Sequence, residues 1–432
     1  MPVDQSLTIV ICVDHANVTG GQAKVAFDSA IGLARQGHRP IVFTAAGDVD
    51  AGLRQAGVEV ISLGQPDLIG NPSQLAAAIQ GVWNWKASEA LGRLLADLPR
   101  DRTIVHIHGW AKALSPAIAT PIAKSGLPVV YTIHEYFLFC PNGGFYNYQE
   151  NHACGLQPLS LACWATHCDS RTYARKLWRN ARLTFAKHIL HLPEVVTDFI
   201  GISDFQTAIV GPHLPAGAKL HRVSNPVDAQ DFGPKTDPGS GDIIFVGRIS
   251  PEKGPFLFAD AARKAGLVPT YVGDGPAASE LKTRYPEARI LGWQKPEAAR
   301  AAMRAARALV FPSLWYEGQP LTVLEAKALG VPVIVSDACS AREEVEDGVT
   351  GMWFKGGDAE DLARALQLAK DDASIARMSL AAHNSFWADP PTLDRHVERI
   401  TAIYRTMIDR KRQPDLLDQA RRSSKEIITC SR

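Results

Sequence analysis

The amino-acid sequence predicts an α/β protein built from two doubly wound parallel sheets. Short β-branched, apolar runs alternate with helical stretches along the chain, which is the pattern of parallel α/β architecture. The runs are apolar at nearly every position, as expected of strands buried on both faces. A segment rich in Pro, Gly and Asp at 225–241 separates two sets of such runs, and 432 residues suffice for two domains.

The predicted strands can be placed residue by residue. In the first half they are LTIVICV (7–13), RPIVFT (39–44), VEVISL (58–63), TIVHIHG (103–109), PVVYTIH (128–134) and FIGIS (199–203). In the second half they are DIIFVGR (242–248), PTYVGDG (269–275), ARILGW (288–293), ALVFPS (308–313) and PVIVSD (332–337). We therefore expect an N-terminal domain at 1–224 and a C-terminal domain at 225–395, followed by a last helix and a polar tail beyond Pro414.

Composition excludes several classes of protein. The formal net charge is +1, which favours neither nucleic acid nor an anionic membrane as a global partner. No apolar run approaches the roughly 18 residues of a membrane span. The N-terminal segment reads as a first strand rather than a signal peptide. Seven cysteines, an odd number, argue against a secreted disulfide framework, so we expect a cytoplasmic protein.

Three loops at predicted carboxyl ends of strands carry residues suited to phosphate groups. Gly20 and Gly21 open the helix after the first strand, and paired glycines allow a ligand to approach backbone N–H groups closely. The alternative for these glycines is a simple tight turn. In the second loop, Arg248 and Lys253 could neutralise a diphosphate without a metal. Two solvated surface cations are the alternative.

The third loop, Glu317-Gly-Gln-Pro-Leu-Thr-Val-Leu-Glu325, is the most informative of the three. Pro320 suits a first helical turn, so the N–H groups of residues 318–322 are free to bind phosphate oxygens. Glu317 then precedes the helix and Glu325 projects from its second turn. The apolar neighbours of Glu325 predict a largely buried helix, in which a carboxylate needs a partner. One carboxylate could reach sugar hydroxyls and the other a ribose.

The ordered series of these motifs resembles the glycosyltransferases of family 4, which have the GT-B fold of two Rossmann-like domains facing across a cleft. The resemblance covers nearly the whole chain and rests on these motifs, in chain order: TGGQAKVAFDSAIGLARQGHRPIVFT, VHIHG, TIHEY, GISDF, SNPVD, FVGRISPEKG, YVGDGP, ILGW and FPSLWYEGQPLTVLEAKALGVPVIVSD. It implies an N-terminal domain that binds the acceptor, a C-terminal domain that binds a nucleotide sugar, and a last region, 396–432, whose helix crosses back to the first domain.

The resemblance also assigns roles to individual positions. It implies His134, Arg248, Lys253 and Glu317 as catalytic residues, with no catalytic metal and retention of anomeric configuration. The implied donor-binding residues are Gly20, Gly21, Gly292, Trp293, Gly318, Gln319, Leu321, Thr322 and Glu325. The donor would be a UDP-, GDP- or ADP-linked sugar, and no cofactor would be needed. The family's usual His-Asp pair is His134-Glu135 here, which leaves the role of Glu135 open.

His134 and Ser203 each allow two interpretations. A histidine at a strand end is commonly structural, but at the carboxyl edge facing a cleft its imidazole can donate to a sugar hydroxyl or polarise a reacting centre. Ser203 in GISDF lies near the same edge. It could contact the acceptor, or it could cap the helix that follows.

The segment 136–170 is an insertion with Cys140, Cys154, Cys163 and Cys168. Four cysteines in 29 residues suggest a structural zinc or iron–sulfur site, although their spacing is not that of a zinc ribbon. Small buried thiols are the equal alternative.

The stretch 171–191 predicts a basic amphipathic helix without acidic residues. On such a helix Arg175, Arg179 and Arg182 share one face, and Leu177, Ala181, Phe185 and Ile189 form an apolar stripe. A packed helix with a solvated basic face is the first interpretation. The second is a peripheral contact of the basic face with the inner membrane surface, where a lipid-linked diphosphate acceptor would be met.

These inferences predict a glycosyltransferase that acts on a glycan, a lipid-linked acceptor or a small molecule. A nucleotide-sugar epimerase of the same fold is one alternative. A non-catalytic nucleotide-binding subunit of a transferase complex is another. The paired glutamates Glu317 and Glu325 disfavour the first alternative, and the complete set of predicted catalytic residues disfavours the second.

Overall fold

The computed structural model describes the backbone of residues 6–429 and the side chains of residues 6–412. The first sheet is parallel, and its strands are β1 Thr8–Cys12, β2 Arg39–Thr44, β3 Glu59–Ser62, β4 Thr103–Ile107, β5 Val129–Thr132, β8 Asp198–Gly201 and β9 Lys219–Arg222. Their spatial order is β3-β2-β1-β4-β5-β8-β9. The order reverses between β1 and β4, which is where ligands bind in doubly wound sheets.

The second sheet repeats this architecture. Its strands are β10 Ile243–Val246, β11 Thr270–Val272, β12 Arg289–Ile290, β13 Ala308–Phe311, β14 Val333–Ser336 and β15 Gly351–Phe354, in the order β12-β11-β10-β13-β14-β15. All neighbouring strands are parallel. The switch point of this sheet lies between β10 and β13. The prediction of two doubly wound parallel α/β domains is confirmed.

The helices of the first domain are α1 Gly21–Arg35, α2 Ala51–Gln55, α3 Gln74–Val82, α4 Trp85–Ala96, α5 Ala119–Ser125, α6 Leu161–Ala165, α7 Tyr173–His188, α8 Leu192–Val195 and α9 Asp204–Val210. Those that follow are α10 Pro255–Ala265, α11 Ala278–Arg284, α12 Pro296–Ala305, α13 Leu321–Ala328, α14 Ala359–Leu368, α15 Asp372–Ala388 and α16 Leu393–Thr429. Several begin where a side chain accepts a hydrogen bond from the first turn, as Ser73, Asn84 and Thr172 do.

The first sheet is buried on both faces because alternate strand residues pack into two separate cores. In β1, Val10 and Cys12 belong to one core, whereas Ile9 and Ile11 belong to the other. The second core also contains α1 and α16. Every residue of β1 is buried, which explains why the strand lacks any polar alternation.

The last helix packs on the first domain. Residues of α16 such as Val397, Ile400 and Tyr404 join the core beneath β1 and α1. Gly32 of α1 permits this contact, because an added Cβ would lie 2.5 Å from Val397 Cγ2. Side chains beyond residue 412, and with them those of the predicted polar tail, lie outside the described residues.

The structure contains strands that the apolar pattern does not predict. β9 and β15 lie at sheet edges, and β6 Tyr146–Asn147 pairs antiparallel with β7 His152–Ala153 inside the cysteine-bearing insertion. Between Arg222 and Ile243, within the described chain, no helix or strand is formed. This stretch includes the Pro- and Gly-rich segment 225–241.

Candidate active site

Loops from the carboxyl ends of the two sheets bring most of the predicted site residues to the switch points. Gly20 and Gly21 lie between β1 and α1, and His134 follows β5. On the other domain Arg248 follows β10, and Glu317 lies between β13 and α13. Pro255 lies in the first turn of α10, as predicted, whereas Pro320 is the N-cap residue of α13 and not part of its first turn.

Lys253 and Glu317 form the central ion pair of the site. Lys253 Nζ lies 2.6 Å from Glu317 Oε1, and Ser313 Oγ donates to the same oxygen at 2.8 Å. Glu317 is 8% exposed, so its carboxylate needs these two partners. The positive φ of Gly254 brings the backbone after Lys253 against Pro312 O, where an added Cβ would lie 2.0 Å away.

The two domains meet beside this pair. The Lys253 ammonium lies 5.1 Å from the centroid of the Trp315 ring, and an added Cβ on Gly144 of the insertion would lie 3.1 Å from that ring. Burial, and then the charge of Glu317, raise the pKa of Tyr136, two residues after His134. Glu317 of the second domain therefore faces the loop that follows β5 of the first domain.

A cavity of about 560 Å³ opens at the carboxyl ends of β10 and β11. Its lining includes Arg248, Gly273, Asp274, Gly275, Trp293 and Gln294. Gly273 has a φ of +144°, and an added Cβ would lie 1.9 Å from Gly247 O, so only glycine fits between these strands. Gly273 N donates to Gly292 O at 2.9 Å, which brings the loop carrying Trp293 to the cavity.

The N-terminus of α13 lies where the domains approach each other. An added Cβ on Gly318 would come within 2.8 Å of Ile202 in the first domain. Gln319 Oε1 accepts from Asn225 N at 2.7 Å, and its amide donates to Glu344. Leu321 and Thr322 begin the helix and are half-buried.

Glu325 lies one turn further along α13. Burial raises its pKa, while the charges of Arg300 and of Lys24 oppose that rise. Lys24 belongs to α1, which begins at Gly21, so Glu325 lies near the loop between β1 and α1 of the first domain.

Behind His134 lies a cluster of buried imidazoles. His134 Nε2 is 3.0 Å from His108 Nδ1, and the planes of the two rings differ by 21°. His108 in turn packs on His106, whose nitrogens contact Tyr404 and Thr132. Burial, and then repulsion from His396 in its protonated form and from the Lys112 ammonium, lower the pKa of His134 to about 3, so its ring is neutral at physiological pH.

The remaining predicted residues have defined places. Glu135 Oε2 lies 3.1 Å from Lys112 Nζ, so this carboxylate is paired with a cation rather than with His134. Ser203 is 1% exposed and accepts from Gln206 N as the N-cap of α9, which favours the capping alternative over an acceptor contact. Gly20 and Gly21 are exposed, and an added Cβ would meet nothing within 4 Å at either one.

Three cysteines of the insertion lie near a buried lysine. Lys176 is 1% exposed, and its ammonium donates to Cys163 Sγ at 3.2 Å and to Asn180 at 3.0 Å. Cys168 and Cys140 also interact with this charge. In the part of the chain that the structure describes, no three His, Cys, Asp or Glu side chains are placed to hold a metal ion. The structural metal on Cys140, Cys154, Cys163 and Cys168 therefore stays a prediction.

The predicted basic face of α7 is wrong, because the helix is rotated relative to that prediction. Arg182 is 4% exposed, donates to Ala111 O and packs its guanidinium over the rings of Trp110 and Trp178. Arg179 is partly buried against Asp169, and only Arg175 of the three is exposed. Of the predicted apolar stripe, Leu177, Ala181 and Ile189 are exposed instead and Phe185 is half-buried.

Several residues of the site are not singled out by the sequence argument. They are His108, Ser313, Trp315 and Asp274, together with Lys24. Each lies within a motif that the resemblance quotes, such as VHIHG for His108 and FPSLWYEG for Ser313 and Trp315. The motifs show where the site lies in the sequence. Only the three-dimensional contacts show that these five residues belong to it.

Two doubly wound parallel domains that face each other define the GT-B class of fold. The chain belongs to the glycosyltransferases of family 4. The family described as "Glycosyltransferase Family 4" matches residues 19–231, and the one described as "Glycosyl transferases group 1" matches residues 227–385.

The similar proteins of known description are glycosyltransferases. A UDP-Gal:alpha-D-GlcNAc-diphosphoundecaprenol alpha-1,3-galactosyltransferase of Escherichia coli is 29% identical over 219 residues, which are 45% of this chain and 56% of that relative. A D-inositol 3-phosphate glycosyltransferase of Rhodococcus opacus is 26% identical over 400 residues, covering 84% of this chain and 81% of the relative.

Solved structures share the fold. The HepE protein of Anabaena, in complex with UDP, has a TM-score of 0.62 and 17% identity, covering 93% of this chain and all of the other. The sucrose-phosphate synthase of Thermosynechococcus elongatus has a TM-score of 0.67 and 18% identity, covering 93% of this chain and 99% of the other.

Proposed function

We propose that the protein transfers a glycosyl group from a nucleoside diphosphate sugar to an acceptor hydroxyl, with retention of configuration and without a catalytic metal. The observation that carries the proposal is the Lys253–Glu317 pair, which joins a cation and a carboxylate at the edge where the two domains meet. In the reaction, the acceptor oxygen replaces the diphosphate oxygen at the anomeric carbon. The diphosphate leaves with the bonding electron pair and takes up the proton that the acceptor hydroxyl releases.

The cations and helix N-terminus of the second domain would receive that leaving group. Arg248 and Lys253 supply two positive charges, and the free N–H groups at the start of α13 supply the positive end of a helix dipole. Fixed positive groups of this kind stabilise charge that grows on the diphosphate, which is the role a divalent cation has in other transferases. Transfer is therefore proposed to persist in EDTA.

The remaining site residues would orient the sugar and the nucleoside. The cavity beside Gly273, Gly292 and Trp293 has the volume of a small-molecule site and would hold the base. Glu325, in the second turn of α13, would accept from ribose hydroxyls, and Glu317 from hydroxyls of the transferred sugar. His134 would contact the sugar from the first domain as a neutral imidazole.

A UDP-linked hexose is the first donor to test, because the Escherichia coli relative is named for UDP-Gal and HepE is described in complex with UDP. We expect UDP to raise the melting temperature, since a ligand at 100 times its Kd adds about 2.7 kcal/mol of stability. Incubation with donor and acceptor should then give a product whose anomeric configuration, read by NMR, is that of the donor.

Other outcomes of this experiment contradict the proposal separately. An isomerised donor without transfer would indicate an epimerase, and binding without turnover would indicate a nucleotide-binding subunit. Inversion at the anomeric carbon would overturn the proposed retention of configuration alone. Activity lost in EDTA and restored by Mg²⁺ would overturn only the proposed independence from a catalytic metal.

The acceptor is proposed to be lipid-linked and to be met at the cytoplasmic face of a membrane. No helix among the described residues is long and apolar enough to cross a bilayer. The first domain does expose large apolar side chains on neighbouring segments: Ile69, Leu75, Ile79, Trp85, Leu161, Tyr173, Leu177 and Ile189. We name this set the apolar surface.

Contacts and charge support a bilayer as the partner of the apolar surface. Trp178 Nε1 of α7 donates to Ala78 O of α3, and Tyr173 Oη of α7 donates to Trp164 O of α6, so these helices are adjacent. Segments 68–88 and 170–191 contain no Asp or Glu, while Arg171 and Arg175 are exposed. Apolar side chains flanked by cations and an exposed tryptophan suit an anionic membrane surface.

We expect the protein to float with vesicles that contain anionic lipid, and the Leu161→Asp/Leu177→Asp variant to lose most of that binding. Both positions are exposed, so folding should be preserved. The matched control is Leu368→Asp/Leu380→Asp, which places the same charges on exposed positions of α14 and α15. Unchanged flotation of the first variant would remove the membrane role. Concentration-dependent dimerisation by light scattering, lost in that variant, would assign the surface to a second copy of the chain.

A further inference from the structure

His108 lies directly behind His134 and is separated from the cleft by it. His134 Nε2 and His108 Nδ1 are 3.0 Å apart, and the ring centroids are 5.2 Å apart at an interplanar angle of 21°. His108 is 1% exposed, whereas His134 is half-buried. The contact occupies Nε2 of His134 and leaves Nδ1 as the ring nitrogen that a ligand can reach.

Both rings are neutral, so one must donate and the other accept. Burial, and then the repulsion that His106, His134 and His396 exert in their protonated forms, lowers the pKa of His108 well below its usual value. A neutral imidazole carries one N–H and one acceptor nitrogen. The His108–His134 contact therefore fixes which nitrogen of His134 carries the hydrogen, once the direction of the bond is known.

The second nitrogen of His108 indicates that direction. His108 Nε2 is buried and has no hydrogen-bond partner among the described residues. If His134 donated to His108 Nδ1, the hydrogen of His108 would be on Nε2, as a buried donor without an acceptor. Such orphaned donors are rarer than unfilled acceptors. With the hydrogen on His108 Nδ1, only an acceptor lone pair is left unfilled.

We propose that His108 is a positioning residue that donates from Nδ1 to His134 Nε2 and so holds His134 as the tautomer with its hydrogen on Nδ1. The proposal rests on the proposed function, because it makes His134 Nδ1 a hydrogen-bond donor toward the cleft. The matching ligand group is an acceptor oxygen, such as a hydroxyl oxygen of the transferred sugar. A partner that fixes the tautomer of an imidazole is the general way such rings are oriented.

The surrounding structure holds His108 itself in place. Its ring packs on His106, with centroids 4.0 Å apart. His106 is fixed in turn by Tyr404 Oη at Nδ1 and by Thr132 Oγ1 at Nε2, both at 2.7 Å. The side-chain amide of Gln22, from the first turn of α1, donates to His108 O. The orientation of His134 therefore depends, through His108 and His106, on contacts with the first turn of α1 and with α16.

Two substitutions separate the hydrogen bond from the packing. His108→Asn keeps an N–H near the position of Nδ1, whereas His108→Phe keeps a ring and removes the hydrogen bond. His383→Phe is the control, since it removes another buried histidine, from α15 of the second domain. Long-range ¹H–¹⁵N spectra of protein labelled at histidine report the tautomer, with His134 assigned by its absence in His134→Gln.

We expect wild-type His134 to carry its hydrogen on Nδ1 without any ligand. His108→Phe should lose this preference and lower kcat by about tenfold to a hundredfold, the range for a partner that orients a functional imidazole. His108→Asn should restore both the tautomer and most of kcat, and His383→Phe should change neither. Recovery by Asn would not follow from a purely structural role.

Three results would overturn the proposal. They are a wild-type His134 with its hydrogen on Nε2, an unchanged tautomer in His108→Phe, and a loss of kcat in His108→Phe that His108→Asn does not recover. The wild-type spectrum decides the first even if His108→Phe does not fold. Full transfer activity in His134→Gln would instead contradict the role proposed for His134, and the spectra would still test His108.

Discussion

Lys253→Met is expected to fold and to lose turnover by roughly a hundredfold to a thousandfold, the cost of removing one preorganised electrostatic contact from a transition state. Lys253 is 25% exposed at its side chain and is held 2.6 Å from Glu317, so its ammonium is already fixed before a donor binds. The loss should appear in kcat rather than in donor affinity, because the charge that Lys253 meets grows as the glycosidic bond breaks. Steady-state kinetics with a saturating donor measures it.

A change in stability must be separated from this loss of turnover. Lys253→Met leaves the Glu317 carboxylate with Ser313 as its hydrogen-bond donor, which should cost about 1–3 kcal/mol of unfolding free energy. Lys253→Met/Glu317→Gln removes the unpaired charge and should regain stability without regaining activity. Lys264→Met is the matched control, since it neutralises an exposed cation on α10, the helix that follows Lys253. Wild-type turnover in a well-folded Lys253→Met protein would remove the proposed role.

The central strands of both sheets could be predicted because strands buried on both faces consist mainly of apolar residues. β1 and β13 are apolar at nearly every position, and each lies within a predicted run. The edge strands lack this apolar pattern. β9 reads Lys-Leu-His-Arg and is partly exposed, so nothing distinguishes it from a loop until β8 pairs with it.

The orientation of α7 could not be predicted because its cations find partners far away in the sequence. The pattern of α7 is amphipathic, and the usual expectation places the apolar stripe inside. Arg182 instead packs on Trp110, some 70 residues earlier, and Lys176 lies among the thiols of the insertion. Cations buried against aromatic rings, carbonyl oxygens and sulfur atoms are stable, but the local sequence pattern does not predict them.

The site could be located from the sequence more readily than its contacts could. The carboxyl ends of parallel strands meet at one edge, so Arg248, Lys253 and Glu317 follow from the placement of β10 and β13. The direct Lys253–Glu317 contact depends on how two loops close over Ser313, and the His108–His134 contact depends on the register of β4 beside β5. Both are properties of the assembled sheets rather than of any segment.

The attachment of α16 to the first domain centres on Asp198 at the start of β8. This side chain is fully buried, and Arg410 of α16 donates to its two oxygens at 3.0 and 3.1 Å. His221 Nε2 lies 2.8 Å from Asp198 Oδ1, and Thr197 Oγ1 donates to the other oxygen. Burial raises the pKa of Asp198, but these hydrogen bonds and the charge of Arg410 outweigh it, so the pKa lies below its usual value.

Asp198→Asn is therefore expected to destabilise the protein by about 2 kcal/mol at pH 7, the scale of a charged hydrogen bond that is lost. The Arg410 side chain is 40% exposed and can turn to water, so the larger cost of stranding a fully buried charge does not apply.

A carboxyl whose pKa is lower in the folded state stabilises that state above its unfolded pKa of about 3.9, and this stabilisation is lost as the pH falls through the folded pKa. Urea unfolding of the wild type and of Asp198→Asn should thus differ by a constant amount from pH 8 to pH 5 and converge below pH 4. Asp409→Asn, which removes an exposed carboxylate of the same helix, should stay within about 0.5 kcal/mol of the wild type throughout. A difference that persists unchanged in acid would mean that packing around Asp198, rather than its charge, holds α16 on the first domain.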